Sequence, residues 1–246
     1  MRRSISKTGR YRWSLTRQEL ALIVIVGILA CLVHLFIQSI RDAELRGQKA
    51  ICRSEMANLV AAIDQYYSEF GHLPISSNAV AAAGTNDFTF GTVSKTPVGS
   101  GRLSPLNIDT PGENSYQNYN SEVIAILRDD NLWPESNGVQ QHIYNTRQTP
   151  YFNAKPSLDT NSPGIGPDDV FRDPWGSPYI ITMDLNNDQK CYDATLDAMY
   201  VLETNTPLHL LVPGRVIVWS LGPLKTINLN QPLNKGANKQ TIITSF

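Results

Sequence analysis

The chain has 246 residues, enough for one domain or two small ones, with 41% hydrophobic and 17% charged residues. The net charge of −1 conceals an asymmetry. The chain has 21 basic and 22 acidic residues, and positions 1–19 hold six of the basic residues but only one of the acidic ones. The rest of the chain therefore has a net charge of −6. A mildly acidic body argues against nucleic-acid binding, so we expect no nucleic-acid partner.

An apolar run without formal charge extends over 18 residues, from Leu20 to Ile37. A helix of this length spans about 27 Å, close to the hydrocarbon thickness of a bilayer. We predict a basic cytoplasmic stub at 1–18 and a transmembrane segment at 19–38. The positive-inside rule then places the remainder outside the cytoplasm. The expected location is the inner membrane, single-pass, with a periplasmic or extracellular C-terminal domain.

A competing interpretation of this run is a lipoprotein signal, because Ile28-Leu29-Ala30-Cys31 would present Cys31 for lipidation. Five of the six residues after Cys31 are apolar, however, whereas a mature lipoprotein usually becomes polar at that point. We therefore prefer a transmembrane anchor to a lipoprotein signal.

The sequence Leu15-Thr16-Arg17-Gln18-Glu19-Leu20 resembles the N-terminus of the type IV pilin-like family. In that family a basic leader is cut before an apolar residue, and a glutamate follows at the fifth mature position. The resemblance implies cleavage between Ser14 and Leu15 by a prepilin peptidase, and an ion pair between Glu19 and the terminal amine of a neighbouring subunit. The alternative is that Glu19 only favours a helix N-terminus at the water interface, and position alone leaves both open.

A second match lies far along the chain, and we call it the heptad: Asp173-Pro174-Trp175-Gly176-Ser177-Pro178-Tyr179. It is similar to a stretch of the major pseudopilins of type II secretion systems. Val218-Trp219-Ser220-Leu221-Gly222 resembles the penultimate strand and turn of the same proteins. Since two prolines fix the backbone around Trp175, we predict that its indole is a buried anchor of the core.

The pattern after the membrane segment remains helical up to Phe70. Gly71 suits the end of this helix, and Pro74 would stop any continuation. The predicted fold class is α+β. A long N-terminal transmembrane helix packs the half at 39–71 on a small antiparallel sheet formed by 171–246, as the resemblance also implies. The apolar positions that carry the helical spacing are Leu45, Cys52, Met56, Leu59, Ile63, Tyr66 and Phe70.

Residues 72–170 are rich in glycine, proline, serine and asparagine, and we predict a large loop-rich insertion there. A short helix near 122–128 is expected inside it, capped by Ser121. The strand at Arg215–Ser220 is expected to be central, because both of its faces are apolar. The other predicted strands are Tyr179–Met183, Met199–Leu202 and Thr241–Thr244.

Catalytic motifs are missing from the sequence. The four histidines are scattered, and no nucleophile elbow, phosphate loop or dinucleotide fingerprint occurs, so we do not expect an enzyme. Cys52 and Cys191 could form a disulfide outside the cytoplasm, but nothing in the sequence places them within reach. Two unpaired thiols are the preferred interpretation.

One pattern suggests a metal. Asp184, Asn186 and Asp188 have the opening spacing of a calcium loop, although the glycine and late glutamate of a full loop are missing. A polar turn is the preferred interpretation, so no cofactor is expected and calcium stays an alternative. The resemblance would place calcium after Gly222 instead, but residues 204–246 contain no Asp or Glu.

Two functions follow from these patterns. The leading hypothesis is a non-catalytic pilin-like or pseudopilin subunit of a type II secretion or type IV pilus filament, partnered by its own copies or other pilin-like subunits. The alternative is a single-pass anchored binding or adhesion module that does not polymerise. Ser14 in place of the family's glycine, polar Arg17 and Gln18, and the insertion favour the alternative.

Overall fold

The computed structural model describes residues 2–5, 11–14, 16–91, 119–129, 142–204, 209–227 and 231–246. The chain divides into two compact units, Met1–Gly47 and Gln48–Phe246. The fold class is α+β, as predicted: a long apolar N-terminal helix is followed by an antiparallel sheet and further helices.

The first unit begins with two strands, β1 (Arg2–Ile5) and β2 (Tyr11–Ser14), which pair antiparallel with Arg2 opposite Ser14. Helix α1 (Arg17–Phe70) begins three residues after β2. Its large hydrophobic side chains between Leu20 and Ile37 are all at least 43% exposed. By length and composition this part of α1 can span a membrane, as the sequence predicts.

The second half of α1 belongs to the other unit. Its buried residues form one stripe at helical spacing, whereas the residues between them are exposed or half-buried. Gly71 ends the helix with φ +73°, and its amide donates to the carbonyl of Tyr67. Glycine adopts this left-handed conformation without the steric cost that a side chain imposes. The buried residues are Cys52, Met56, Leu59, Ala62, Ile63 and Tyr66.

Short elements follow α1 in the second unit. In chain order they are α2 (Ser77–Ala83), β3 (Phe88–Phe90), α3 (Ser121–Arg128), β4 (Gly164–Ile165), β5 (Phe171–Arg172), β6 (Ile180–Met183), β7 (Lys190–Tyr192), α4 (Ala194–Thr204), β8 (Leu211–Pro213), β9 (Val216–Ser220), a 3-10 turn (Gly222–Leu224), α5 (Gly236–Thr241) and β10 (Ile243–Thr244).

The main sheet has four antiparallel strands in the order β10-β9-β6-β3. β9 lies inside the sheet and is buried along its whole length, so the predicted central strand is confirmed. Two further ribbons each pair two strands, β4 with β5 and β7 with β8.

Both faces of the main sheet are covered. Ile181 and Val218 belong to the same core cluster as the buried stripe of α1, together with Phe88, Phe90, Met183 and Ile243. Their neighbours Ile180, Ile217 and Trp219 form a second cluster with residues of β7, α4 and β8. Because successive residues of a strand alternate between faces, the two clusters occupy opposite sides of the sheet.

Two sequence predictions need correction. Residues 199–202 are part of helix α4, not a strand, because Leu196 and Met199 are buried at helical spacing against the second cluster. The sheet is also not confined to residues 171–246. β3 comes from the segment predicted as a loop-rich insertion, and it supplies an edge strand with buried Phe88 and Phe90.

Candidate functional site

The start of α1 carries the residues that the resemblance singles out for assembly. The Thr16 amide donates to Glu19 Oε2 at 2.9 Å, and the Glu19 amide donates to Thr16 Oγ1 at 3.3 Å. This reciprocal pair is a capping box, which satisfies two backbone amides that have no partner within the helix. Glu19 therefore has a structural role in the single chain, in line with the helix-start alternative.

The predicted processing site lies just before this box. Ser14 is the last residue of β2 and pairs in register with Arg2. Leu15 lies outside the described residues. The residue on the N-terminal side of the expected cut is therefore held in a strand ladder in this conformation of the uncut chain.

The heptad is built around the carboxylate of Asp173, which is fully buried. Its Oδ1 accepts from the amides of Trp175 and Ser177, each at 2.9 Å. Its Oδ2 accepts from the hydroxyl of Ser220 in β9 at 2.6 Å, and that hydroxyl in turn accepts from the Gly222 amide. One side chain thus closes the heptad turn and fastens it to the central strand.

Burial raises the pKa of Asp173 from its ordinary value of 3.8 to about 6. The hydrogen bonds from Ser220, Ser177 and Trp175, and the charge of Lys225, oppose this shift because they stabilise the ionised form. Desolvation outweighs them. A perturbed pKa can mark a functional site, but here every donor belongs to the turn or to β9, which indicates a scaffold.

The last residue of the heptad reaches helix α1. The Tyr179 hydroxyl donates to Glu55 Oε2 at 2.6 Å, and the ring is fully buried against Phe171. Desolvation raises the pKa of both Glu55 and Tyr179. A neutral or ionised Glu55 can accept this hydrogen bond, so the link between the heptad and α1 is maintained in either state.

Asn120, at the N-terminus of α3, links Phe171 of β5 to Tyr179, the last residue of the heptad. Its side-chain nitrogen donates to the carbonyls of Phe171 and Tyr179, both at 2.8 Å, and its side-chain oxygen accepts from the Phe171 amide at 3.0 Å. Sequence reasoning proposed Ser121 as the cap of this helix and gave no role to Asn120. The cap residue is Asn120, and its side chain serves the heptad instead of α3.

Gly176 is the one heptad position that tolerates no side chain. Its φ is +87°, and a Cβ there would lie 1.9 Å from the carbonyl oxygen of Asn161. Trp175 packs against the main core cluster but is only half-buried, so it is less buried than the predicted anchor. The turn directs the indole to the edge of the core, and the fully buried aromatic residues nearby are Phe171 and Tyr179.

The predicted calcium ligands accept backbone amides in a turn. Asp184 accepts from the amides of Asp188 and Gln189, at 3.2 and 2.8 Å. Asn186 Oδ1 accepts from the Asp188 amide, and Asp188 Oδ1 from the Lys190 amide, both at 2.9 Å. Across the described residues, no three His, Cys, Asp or Glu side chains are grouped to hold a metal ion. Side-chain oxygens that accept backbone amides in this way are typical of a polar turn.

Asp193 is a buried carboxylate that sequence reasoning assigned no structural role. Its Oδ1 accepts from the amides of Thr195 and Leu196, which caps α4. Its Oδ2 accepts from the Thr182 hydroxyl at 2.7 Å and from the Trp219 indole at 2.9 Å. The usable signal was Asp193 directly before Ala194-Thr195-Leu196, a helix-start pattern that the predicted strand at 199–202 obscured.

An acid–histidine pair lies beside α4. His209 Nδ1 is 2.9 Å from Asp197 Oδ2, and the imidazole is mostly exposed whereas the carboxylate is buried. Asp197 also accepts from the Leu210 amide at 2.6 Å and from the Tyr192 hydroxyl at 3.1 Å. The carboxylate therefore fastens the chain entering β8 to α4 and β7, which is a structural role.

The three cysteines are free thiols. Cys52 belongs to the core cluster of α1 and Cys191 to the cluster on the other face of the sheet. Burial raises the pKa of Cys52 to about 11 and that of Cys191 to about 12. Both thiols are therefore protonated at neutral pH and unreactive in this state.

Comparison of the chain with family models, with curated proteins and with solved structures gave no match.

Proposed function

We propose that this chain is a non-catalytic, pilin-like structural subunit of a type II secretion or type IV pilus filament. It is anchored in the inner membrane by the first part of α1, with the domain from Gln48 onward outside the cytoplasm. Its partners are copies of itself or other pilin-like subunits, and a prepilin peptidase processes it between Ser14 and Leu15.

The observation that carries this proposal is the division of α1 into two chemically different parts. From Leu20 to Ile37 the helix exposes apolar side chains on all sides, which is unfavourable in water and suited to lipid or to neighbouring helices. From Cys52 to Tyr66 it buries a single stripe in the core of its own domain. One helix thus offers a surface for membrane and assembly and also belongs to a folded domain.

The chemistry of the heptad supports a structural subunit. Asp173 binds the heptad to β9 and Tyr179 binds it to α1, so two residues that carry the resemblance link the sheet and the helix. The helix packed on the sheet is the architecture that the resemblance implies. No step of a reaction is assigned to these residues, because their polar atoms are bonded within the fold.

The alternative is an anchored binding or adhesion module that does not polymerise. The capping box favours it, because Thr16 gives Glu19 a partner within the single chain. The register of β2 favours it as well, since Ser14 lies in a strand ladder at the site where processing would occur.

Three variants separate the assembly role of Glu19 from its capping role. Glu19→Gln keeps the hydrogen-bonding shape of a capping box but removes the charge. Thr16→Ala removes the hydroxyl partner and keeps the charge. Glu19→Ala removes both. The measurement is cross-linking between copies in native membranes with an amine-reactive reagent, with membrane extraction as the control for insertion.

Assembly through an ion pair predicts that Glu19→Gln and Glu19→Ala both abolish cross-linked oligomers, whereas Thr16→Ala retains them. Insertion should be unchanged in all three, because the apolar run is intact. Wild-type cross-linking in Glu19→Gln, with a reduction only in Glu19→Ala and Thr16→Ala, would overturn the assembly role and favour the non-polymerising anchor.

A further inference from the structure

The part of α1 that can span a membrane has two chemically different sides. Residues that follow each other at intervals of four and three fall on one side of an α-helix. One side, which we call the polar face, carries Gly27, Cys31, His34 and Gln38 within a sector of about 60°. The opposite side, the lipid face, carries exposed large apolar side chains: Leu22, Ile25, Leu29, Leu32, Phe36 and Ile40.

Two side chains of the polar face bond to each other. His34 Nε2 lies 2.8 Å from the side-chain nitrogen of Gln38, and both residues are exposed. An amide nitrogen only donates, so the His34 ring accepts with Nε2 and carries its proton on Nδ1. Among the described residues, no other group hydrogen-bonds to these two side chains. The pair therefore presents a donor, the His34 ring N–H, and an acceptor, the Gln38 side-chain oxygen.

This donor and this acceptor need partners in a membrane. His34 lies about 21 Å along the helix from Leu20, about one turn before the end of the apolar run. Hydrocarbon offers no hydrogen bonds, so a polar group there is costly unless another protein group pairs with it. Helix faces that contact other helices in membranes are rich in small and polar residues. The polar face has this composition.

Gly27 supports a contact on the same face. Among the described residues, no atom lies within 4 Å of the position that a Cβ would occupy there, so the single chain does not require glycine. Glycine inside a helix is also less favourable than alanine. A glycine on a helix face does allow the backbone of a second helix to approach closely.

The second helix must come from another chain. Among the described residues, α1 is the one helix long and apolar enough to span a membrane. Copies of the chain insert in the same direction, so equal residues lie at equal depth. Because Gln38 reaches back one turn to His34, the donor and the acceptor share one depth, and a two-fold axis can place each donor opposite the acceptor of the other copy. A second copy thus supplies the complementary groups by identity.

We propose that the polar face of α1 is a contact between two copies of the chain in the membrane, held by reciprocal hydrogen bonds between His34 of one copy and Gln38 of the other. The inference rests on the membrane insertion of the proposed function and names the surface on which copies meet. It requires neither the ion pair of Glu19 nor cleavage after Ser14.

The native Cys31 reports this contact. Its thiol is exposed on the polar face, whereas Cys52 and Cys191 are fully buried. The full-length chain, in vesicles of phosphatidylethanolamine and phosphatidylglycerol, is oxidised with copper phenanthroline, and disulfide-linked dimers are measured on non-reducing gels. The proposal predicts a Cys31 dimer. The matched control is the double variant Cys31→Ala, Leu29→Cys, whose thiol lies on the lipid face and should give only collisional cross-linking.

Energy transfer between labelled copies, over a range of protein-to-lipid ratios, measures the strength of the contact. His34→Leu should weaken self-association by about eightfold, which corresponds to two interhelical hydrogen bonds of average strength in a membrane. Gln38→Leu should weaken it similarly, because the same two bonds are lost, whereas His34→Gln keeps a donor and should retain most of the association. Phe36→Leu, on the lipid face, should stay within about twofold of the wild type.

Equal cross-linking in the wild type and in the double variant would overturn the proposal. Unchanged association in His34→Leu would also overturn it, since the pair would then only meet interfacial water. A Cys31 cross-link to a different protein in native membranes, with none in vesicles of the pure chain, would exclude a second copy as the partner. Wild-type amine cross-linking in Glu19→Gln would overturn the assembly role of Glu19 but leave the Cys31 dimer intact, so the two failures are distinguishable.

Discussion

Asp173 shows how one residue can make a turn part of the core. Its carboxylate accepts three hydrogen bonds from Trp175, Ser177 and Ser220 while it is fully excluded from solvent. A buried ionised group is costly even when it is hydrogen-bonded, and the raised pKa of Asp173 expresses that cost. Stability should therefore depend on pH through this residue.

The domain from Gln48 onward should lose stability as the pH rises from about 4 to about 6. Asp173 holds its proton more tightly in the folded protein, with a pKa of about 6 against 3.8 ordinarily. Its contribution is complete below the lower value and is lost as the pH passes the higher one, and it amounts to roughly 3 kcal/mol. Urea unfolding of the fragment 48–246 across this range measures it.

Asp173→Asn isolates this contribution, because Glu55 and Asp87 also have pKa values raised by burial and change stability in the same direction. The free energy of unfolding of the wild type, taken relative to that of the variant, should fall as the pH rises and Asp173 becomes charged. A difference that is constant between pH 4 and pH 6 would contradict the raised pKa of Asp173.

At the scale of elements, α4 depends on Asp193 at its N-terminus. The carboxylate caps the helix and also accepts from Thr182 of β6 and Trp219 of β9. It is therefore the polar link between the helix and the sheet face that the helix covers. Loss of this side chain would leave the buried indole N–H of Trp219 without an acceptor, whereas the Thr182 hydroxyl would keep Thr89 Oγ1 at 3.0 Å.

Asp193→Ala should lower the free energy of unfolding by about 2–4 kcal/mol, as the sum of a lost cap of about 1 kcal/mol and one buried donor without an acceptor at about 1–3 kcal/mol. Asp188→Ala is the matched control, since its exposed side chain accepts one backbone amide in a turn. That variant should stay within about 0.5 kcal/mol of wild type. Denaturant unfolding measures the free energy of unfolding of both variants. Equal decreases in the two variants would contradict the role of Asp193.

The sequence predicted elements whose patterns are locally unambiguous. The long helix and its end at Gly71, the strands predicted at 179–183 and 215–220, and the helix predicted near 122–128 are observed within about two residues of those bounds. The strand predicted at 199–202 failed because Met199-Tyr200-Val201-Leu202 favours strand and helix similarly, and the deciding contacts of Leu196 and Met199 come from other segments. β3 was missed for a related reason, because its three residues gain their stability from pairing with β6.

The candidate sites were predictable in part. The heptad turn follows from its prolines and Gly176, whereas the bonds of Asp173 to Ser220, Tyr179 to Glu55 and Asn120 to Phe171 join residues 47 or more positions apart. No local pattern encodes such partners. The exposure of Trp175 depended in the same way on how neighbouring segments pack, which the flanking prolines do not determine.

The whole molecule combines two chemically different units. Residues 1–47 contain a basic N-terminal stretch and the exposed apolar run of α1, which suits a lipid environment. Residues 48–246 form a domain with a core on each side of its sheet. Among the described residues, every buried side-chain nitrogen or oxygen atom has a hydrogen-bond partner, apart from Gln231 Oε1. This division supports an anchored structural subunit.

The mass and sequence of the N-terminus of the protein purified from its native membranes test the proposed function most directly. Processing as a pilin-like subunit predicts loss of residues 1–14 and a methylated amine on Leu15. A chain that still begins at Met1 would contradict the filament subunit and leave the plain membrane anchor.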